Sequence, residues 1–141
     1  MTPAWREYHY AFAQLAATKS KDSTQVGAAL VHGRTVVLTG YNGPPAGVQD
    51  LTERRERPEK YLFASHAEAN VVAHAARLGI KTDGAGLYVT HFPCSGCCRT
   101  LIQAGITCVV VGPGQTSMPA AEFEAAAVMF EEAGVVVEMM E

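Results

Sequence analysis

Three side chains suited to one metal ion are split between two predicted helix starts, and any fold for this chain must bring them together. His66 lies in Ser65-His66-Ala67-Glu68-Ala69-Asn70, and Cys94 and Cys97 lie in Phe92-Pro93-Cys94-Ser95-Gly96-Cys97. The two cysteines are three apart, so both can point to one side of a first helical turn. A helix N-terminus lowers a thiol's pKa and favours the thiolate, the form that binds zinc. One imidazole and two thiolates leave a tetrahedral zinc with an open position, which marks a hydrolytic site and not a structural one. Glu68 is two residues from His66 and is not needed as a ligand. At a helix start the chain changes direction, so an imidazole and a carboxylate can flank one point. A carboxylate near such a metal but off it can carry protons from water to a substrate and on to a leaving amine.

Around these motifs the apolar pattern alternates between strand and helix. The chain has 141 residues, 48% of them apolar, so one domain over residues 1–141 with a sizeable core is expected. Residues 4–18 predict an amphipathic helix with Trp5, Tyr8, Phe12, Leu15 and Ala16 at helical spacing, and Trp5, Tyr8 and Phe12 are expected in the core. Residues 26–31 and 35–39 predict strands joined by a short hairpin turn. Helices are predicted from 66 to 78, 94 to 104 and 120 to 133, with Gly79 and Gly105 as stops. Strands are predicted at 87–90, 107–111 and 135–139. A hairpin followed by strands alternating with helices implies an α/β fold, a mostly buried sheet with helices on both faces.

Charge and cysteine usage narrow the function. The formal net charge is −3 and no basic stripe is visible, so a nucleic-acid polymer is not an expected partner. A small anionic substrate needs only a few local cations. The charged segment at residues 50–60 reads as a solvated loop. No apolar run is long enough for a membrane span, and the first residues lack a signal-peptide layout, so a reducing cytoplasm is the expected compartment. Four cysteines there point to metal or redox chemistry and not to a disulfide framework. Cys98 and Cys108 are assigned to packing, and His9, His32 and His74 to structural or surface roles. The rival from another class is a CxxC thiol–disulfide oxidoreductase, since strand, proline, CxxC and helix is also its layout. That reading leaves His66 and Glu68 without a role. A binding module with structural zinc lacks a clear fourth ligand unless Cys98 serves.

With these residues in hand, the chain resembles the deoxycytidylate (dCMP) deaminases of the cytidine deaminase-like superfamily, nearly end to end. Besides the metal motifs, the likeness runs through Ser20-Lys21-Asp22-Ser23-Thr24-Gln25-Val26-Gly27-Ala28, through Gly40-Tyr41-Asn42-Gly43-Pro44-Pro45, through Lys60-Tyr61, and through Leu101-Ile102-Gln103-Ala104-Gly105-Ile106. The resemblance implies a three-layer α/β/α sandwich with a five-stranded mixed sheet. It implies zinc on His66, Cys94 and Cys97, Glu68 as proton shuttle, and hydrolysis of dCMP to dUMP and ammonia. A 5-substituted dCMP, or another nucleotide or nucleoside, stays open as substrate. Asn42 matches the asparagine that binds the nucleotide near its sugar, and the Ala67 backbone would meet the pyrimidine edge. Family members are commonly homo-oligomers, often hexamers, and many respond to dCTP and dTTP with Mg2+. This chain departs from the pattern at Ala46, where arginine or asparagine is usual, at His91, where a small or apolar residue is usual, and at Ser65, which replaces a common cysteine. His91, or a cation such as Lys21, is expected to replace part of the contact missing at Ala46.

Overall fold

The computed structural model describes residues 1–140. Its elements follow the chain as α1 (Pro3–Ala17), β1 (Gly27–His32), β2 (Thr35–Tyr41), α2 (Lys60–Phe63), α3 (Ala67–Leu78), β3 (Gly86–His91), α4 (Ser95–Gln103), β4 (Cys108–Gly114), α5 (Ala120–Ala133) and β5 (Val136–Met139). The five strands form one sheet in the order β2-β1-β3-β4-β5. β1 runs antiparallel to both β2 and β3, with Leu30 opposite Leu38 on one side and Leu87 on the other. β3, β4 and β5 are parallel, with Gly86 beside Cys108 and Cys108 beside Val136. The sheet is therefore mixed, as the resemblance implies.

Side chains alternate between the two faces along each strand. Ala28, Leu30, Leu87, Val89, Val109 and Val111 pack with α3, α4 and α5, where Val71, Leu101 and Phe130 fill the larger core. Ala29, Val31, Tyr88 and Val110 face α1, where Tyr10 and Ala13 complete a smaller cluster. Helices thus cover both faces, giving the three-layer α/β/α sandwich.

α1 does not bury the stripe that its aromatic residues suggest. Tyr8 is 52% and Leu15 66% exposed, while His9, Tyr10, Ala13, Ala16 and Ala17 are buried. The reason is a close approach of backbones. A Cβ built on Gly27 would lie 2.0 Å from the Ala13 carbonyl oxygen and 2.4 Å from the Ala17 nitrogen. Small residues bring the helix down onto β1 there, so Tyr10 takes the inward place, Tyr8 is turned outward, and Trp5 and Phe12 are only partly buried. His9 makes this face polar as well as small: it is fully buried, within hydrogen-bonding distance of the Tyr88 hydroxyl at 3.3 Å and the Arg34 carbonyl at 3.1 Å. Both obstacles to a Cβ at Gly27 are main-chain atoms, so neither can swing aside. Gly27→Ala is expected to cost at least about 3 kcal/mol and roughly 10 °C in Tm, measured by thermal and urea unfolding.

The topology decides where a site can form. β1 runs opposite to the other four strands, so the C-terminal ends of β2, β3, β4 and β5 share one edge with the start of β1. The loops leaving β2, β3 and β4 all open there. Open α/β sheets bind ligands outside those strand ends.

Candidate active site

Local geometry makes His66 and Cys94 the residues just before their helices, not members of them. Both are N-caps with extended backbone, φ −72°, ψ 155° for His66 and φ −72°, ψ 171° for Cys94. Neither side chain caps its own helix by a hydrogen bond, so both remain free for other work. The approach to His66 is fixed by a two-bond bridge. Gly43 N–H donates to the Ser65 carbonyl at 3.0 Å, and Ser65 N–H donates to the Gly43 carbonyl at 2.8 Å. Asn70 adds a bond from its side-chain amide to the Tyr41 carbonyl at 2.8 Å. The start of α4 is tied to α5, where Glu122 Oε1 accepts from the Ser95 amide at 3.2 Å and the Ser95 hydroxyl at 2.7 Å.

These restraints bring the three predicted ligands together. His66 Nδ1 lies 3.3 Å from Cys97 Sγ and 3.5 Å from Cys94 Sγ, and all three donor atoms fall within 4.8 Å of one another. Tetrahedral zinc with ordinary bond lengths places its nitrogen and sulfur donors about 3.6 Å apart. The donor set fits zinc in chemistry and spacing without rearrangement. All four cysteines are free thiols, and Cys98 turns away to the Ala126 carbonyl at 3.4 Å.

Electrostatics at the cluster follow from that crowding. Hydrogen bonds from Cys97 and then His66 hold the Cys94 thiol down to about 4, against burial. Cys97 is pushed up, first by that same bond with Cys94 and then by burial. The pair thus favours a thiolate on Cys94, and the bond of that sulfur with the imidazole raises His66. Glu68 stands beside the cluster and outside the ligand set, with His66, Cys94 and Cys97 all acting on its carboxyl. It is 4% exposed, and burial pushes its carboxyl up to about 7. A dication on the cluster opposes that rise.

His66, Cys94 and Glu68 line a cavity of about 360 Å3, a size suited to a small organic ligand. Of the other residues singled out in the sequence, Ala67, Asn42 and His91 line it. Ala67 is the first residue of α3, so its N–H has no partner within the helix. Asn42 is partly committed: its Oδ1 accepts from Val26 N–H at 2.9 Å and its Nδ2 donates to the Thr24 carbonyl at 2.9 Å. One amide hydrogen and one lone pair remain for a ligand. His91 packs its ring against Gly114 with Nδ1 2.7 Å from the Thr90 hydroxyl, and burial lowers its pKa. Lys21 is exposed and is not brought to the cavity.

Several cavity residues were not singled out in the sequence. The charged segment is not only a solvated loop. It forms a short 3-10 turn at Thr52–Arg54 and leads into α2, and Arg57 and Lys60 from it line the cavity. Lys60 pairs with Asp22 at 3.2 Å, with 11% and 7% of the two side chains exposed. The SKD and KY segments of the resemblance carried a signal for this pair. Thr116 and Ser117 of the loop after β4 carried none.

Known proteins agree with this geometry. The family model described as "Cytidine and deoxycytidylate deaminase zinc-binding region" matches residues 3–113. An uncharacterised deaminase encoded downstream of luxG in Aliivibrio fischeri is 39% identical over 140 residues, covering 96% of this chain and 92% of its own. Human deoxycytidylate deaminase is 37% identical over 139 residues, covering 93% of this chain and 76% of its own. A crystal structure of dCMP deaminase from the cyanophage S-TIM5, in complex with dCMP and dUMP, superposes with a TM-score of 0.81 at 27% identity over 99% of each chain. A match over so much of the sequence, spanning both halves of the metal cluster, means that the chain belongs to the cytidine and deoxycytidylate deaminase family.

Proposed function

We propose that this protein is a zinc-dependent deaminase that hydrolyses dCMP to dUMP and ammonia. One observation carries the reading: a buried carboxylate, Glu68, sits beside the His66–Cys94–Cys97 cluster without belonging to it, in the lining of a cavity of small-molecule size. The relatives named for dCMP supply the substrate.

His66, Cys94 and Cys97 would hold the zinc, which when bound supplies the Lewis acidity that activates water for attack. The remaining chemistry belongs to the chain. Glu68 takes a proton from the attacking water and delivers it to the ring nitrogen N3, as oxygen bonds to C4. It then moves the second proton to the amine, the C4–N bond breaks, and ammonia leaves. Ala67 N–H is free to donate to the pyrimidine edge, and the spare amide hydrogen of Asn42 is available to the sugar. His91 forms the wall beside them, where a 5-substituent would be sensed. On this reading the enzyme works in the cytoplasm as a homo-oligomer, a hexamer being the usual size in the family, and needs no nucleic-acid or membrane partner. No helix among the described residues is long and apolar enough to cross a membrane.

The thiol–disulfide alternative has no use for Glu68 or for the imidazole between the sulfurs. Ammonia release across dCMP, 5-methyl-dCMP, dCTP, cytidine, deoxycytidine and adenine nucleotides tests the reading. dCMP is expected to be turned over at least tenfold more efficiently than the nucleosides and adenine nucleotides. Release from an adenine nucleotide alone would overturn it. The same assay with added dCTP or dTTP and Mg2+ reads effector control.

A further inference from the structure

Three positions at the start of α4 face α5, and they alternate with the two that face the metal cluster. Phe92 packs edge-on against Phe123, with ring centroids 6.2 Å apart. Ser95 meets Glu122, and Cys98 Sγ lies 3.4 Å from the Ala126 carbonyl. Cys94 and Cys97, set between them, turn to His66. α5 is therefore the surface against which the sulfur-bearing turn is laid. A ring edge and a thiol hold their partners with little directional force. The Glu122 contact is the directional one. Its Oε1 accepts from the Ser95 amide at 3.2 Å and from the Ser95 hydroxyl at 2.7 Å, so the main chain and side chain of one residue are pinned at one point.

α4 also lacks an acid of its own. Its first turn holds no acidic residue and Cys94 makes no side-chain cap bond, whereas α3, which His66 precedes, has Glu68 in its first turn. First-turn N–H groups have no partner within a helix and favour a nearby anion. Glu122 supplies from α5 what the sequence of α4 omits. It is partly buried and forms no ion pair among the described residues, so its contact with Ser95 is not a by-product of a charge network. The precision at stake is high. Rotating the first turn by about 10° carries a side-chain atom about 5 Å from the helix axis roughly 0.9 Å sideways. Metal–ligand distances tolerate only about 0.2 Å.

We infer that Glu122 is the positioning residue of the metal-binding turn: by holding Ser95 it sets the rotation of α4 at which Cys94 and Cys97 both reach His66, and so it sets the zinc affinity. That role rests on the zinc-deaminase reading for the metal. The residue itself lies on α5, outside both metal motifs. Glu122 acts through its two hydrogen bonds, and its charge is dispensable.

The test measures zinc affinity by competition with a chromophoric chelator, and the visible spectrum of the Co2+-loaded protein. Wild type is compared with Glu122→Ala, Glu122→Gln, Ser95→Pro and the double variant Ser95→Pro/Glu122→Ala. Glu122→Ala is expected to weaken zinc binding about 10- to 100-fold, the range for lost outer partners of metal ligands, and to alter the d–d bands of tetrahedral Co2+. Glu122→Gln keeps an acceptor oxygen for both Ser95 donors and is expected within about threefold of wild type, with the wild-type Co2+ spectrum. Ser95→Pro removes both donors at the first position of α4, where proline suits a helix. It is expected to match Glu122→Ala, and the double variant to be no weaker than either single one. Arg6→Ala breaks the ion pair with Glu138 at 2.7 Å, outside the cavity lining, and controls for plain loss of stability; its zinc affinity and Co2+ spectrum should match wild type. Equal affinity in wild type and Glu122→Ala would overturn the assignment, as would an equal loss in Glu122→Gln or in Arg6→Ala. Should Glu122→Ala not fold, Ser95→Pro decides beside Glu122→Gln: weakened zinc in Ser95→Pro alone upholds the role, and wild-type affinity in Ser95→Pro ends it. None of these measurements needs turnover. A wild type that binds zinc but leaves dCMP intact therefore sinks the deaminase reading alone, and one that binds no zinc sinks both.

Discussion

Glu68→Gln is expected to lower kcat on dCMP by about 10³- to 10⁴-fold while leaving close to one zinc per chain. The replacement keeps the shape and removes the proton carrier. Because Glu68 lies outside the ligand set, the metal does not depend on it. Turnover and metal content therefore separate, and both are read on one preparation, by ammonia release and by elemental analysis. KM is expected to change far less than kcat, since a proton shuttle acts in the transition state and contributes little to holding the ground state. A Glu68→Gln protein with wild-type turnover would remove the carboxylate from the mechanism.

Cys94→Ala and Cys97→Ala are expected to fail in the opposite manner, losing zinc and activity together. Either change leaves two ligands where three now converge on one point. Metal binding and folding are also linked, so both variants should melt several degrees lower than the loaded parent. Cys98→Ala is the control, because that thiol faces the Ala126 carbonyl and its loss should leave zinc content unchanged. The pattern also excludes the oxidoreductase alternative by measurement. A redox pair would lose disulfide exchange in Cys94→Ala with no metal to lose. Stoichiometric zinc retained in both Cys94→Ala and Cys97→Ala would remove the proposed ligand set.

Each half of the metal cluster was readable from sequence because the geometry of each half is local, although the fold must join them across 28 positions. His66 and Cys94 each precede a helix, Cys97 follows one turn into α4, and the alternating apolar pattern announces those helices. The sheet was readable for a related reason, since buried strands such as Val109–Val111 are continuously apolar. What could not be read depends on contacts between distant segments. The buried face of α1 is set by the missing side chain of Gly27 on another element, which outweighs the aromatic stripe of Trp5, Tyr8 and Phe12. The far end of the cavity needs Arg57 and Ser117, 60 positions apart, to meet. Neither residue has a pattern of its own: arginine in a mixed-charge run and serine in a loop are ordinary surface residues until the fold pairs them. Lys60 is similar, because its burial follows from Asp22 and not from its neighbours in the chain.

The placement of His66 and Cys94 on the caps has a bearing on how such a protein can change over time. The bodies of α3 and α4 act as supports, and their outward positions are open to drift so long as the inward ones still pack. The hinge residues that lead into them are not, since a shift of one position there would carry an imidazole or a sulfur out of reach. Divergence in this chain should therefore concentrate along the outer flanks of those two helices and stop abruptly at their first turns.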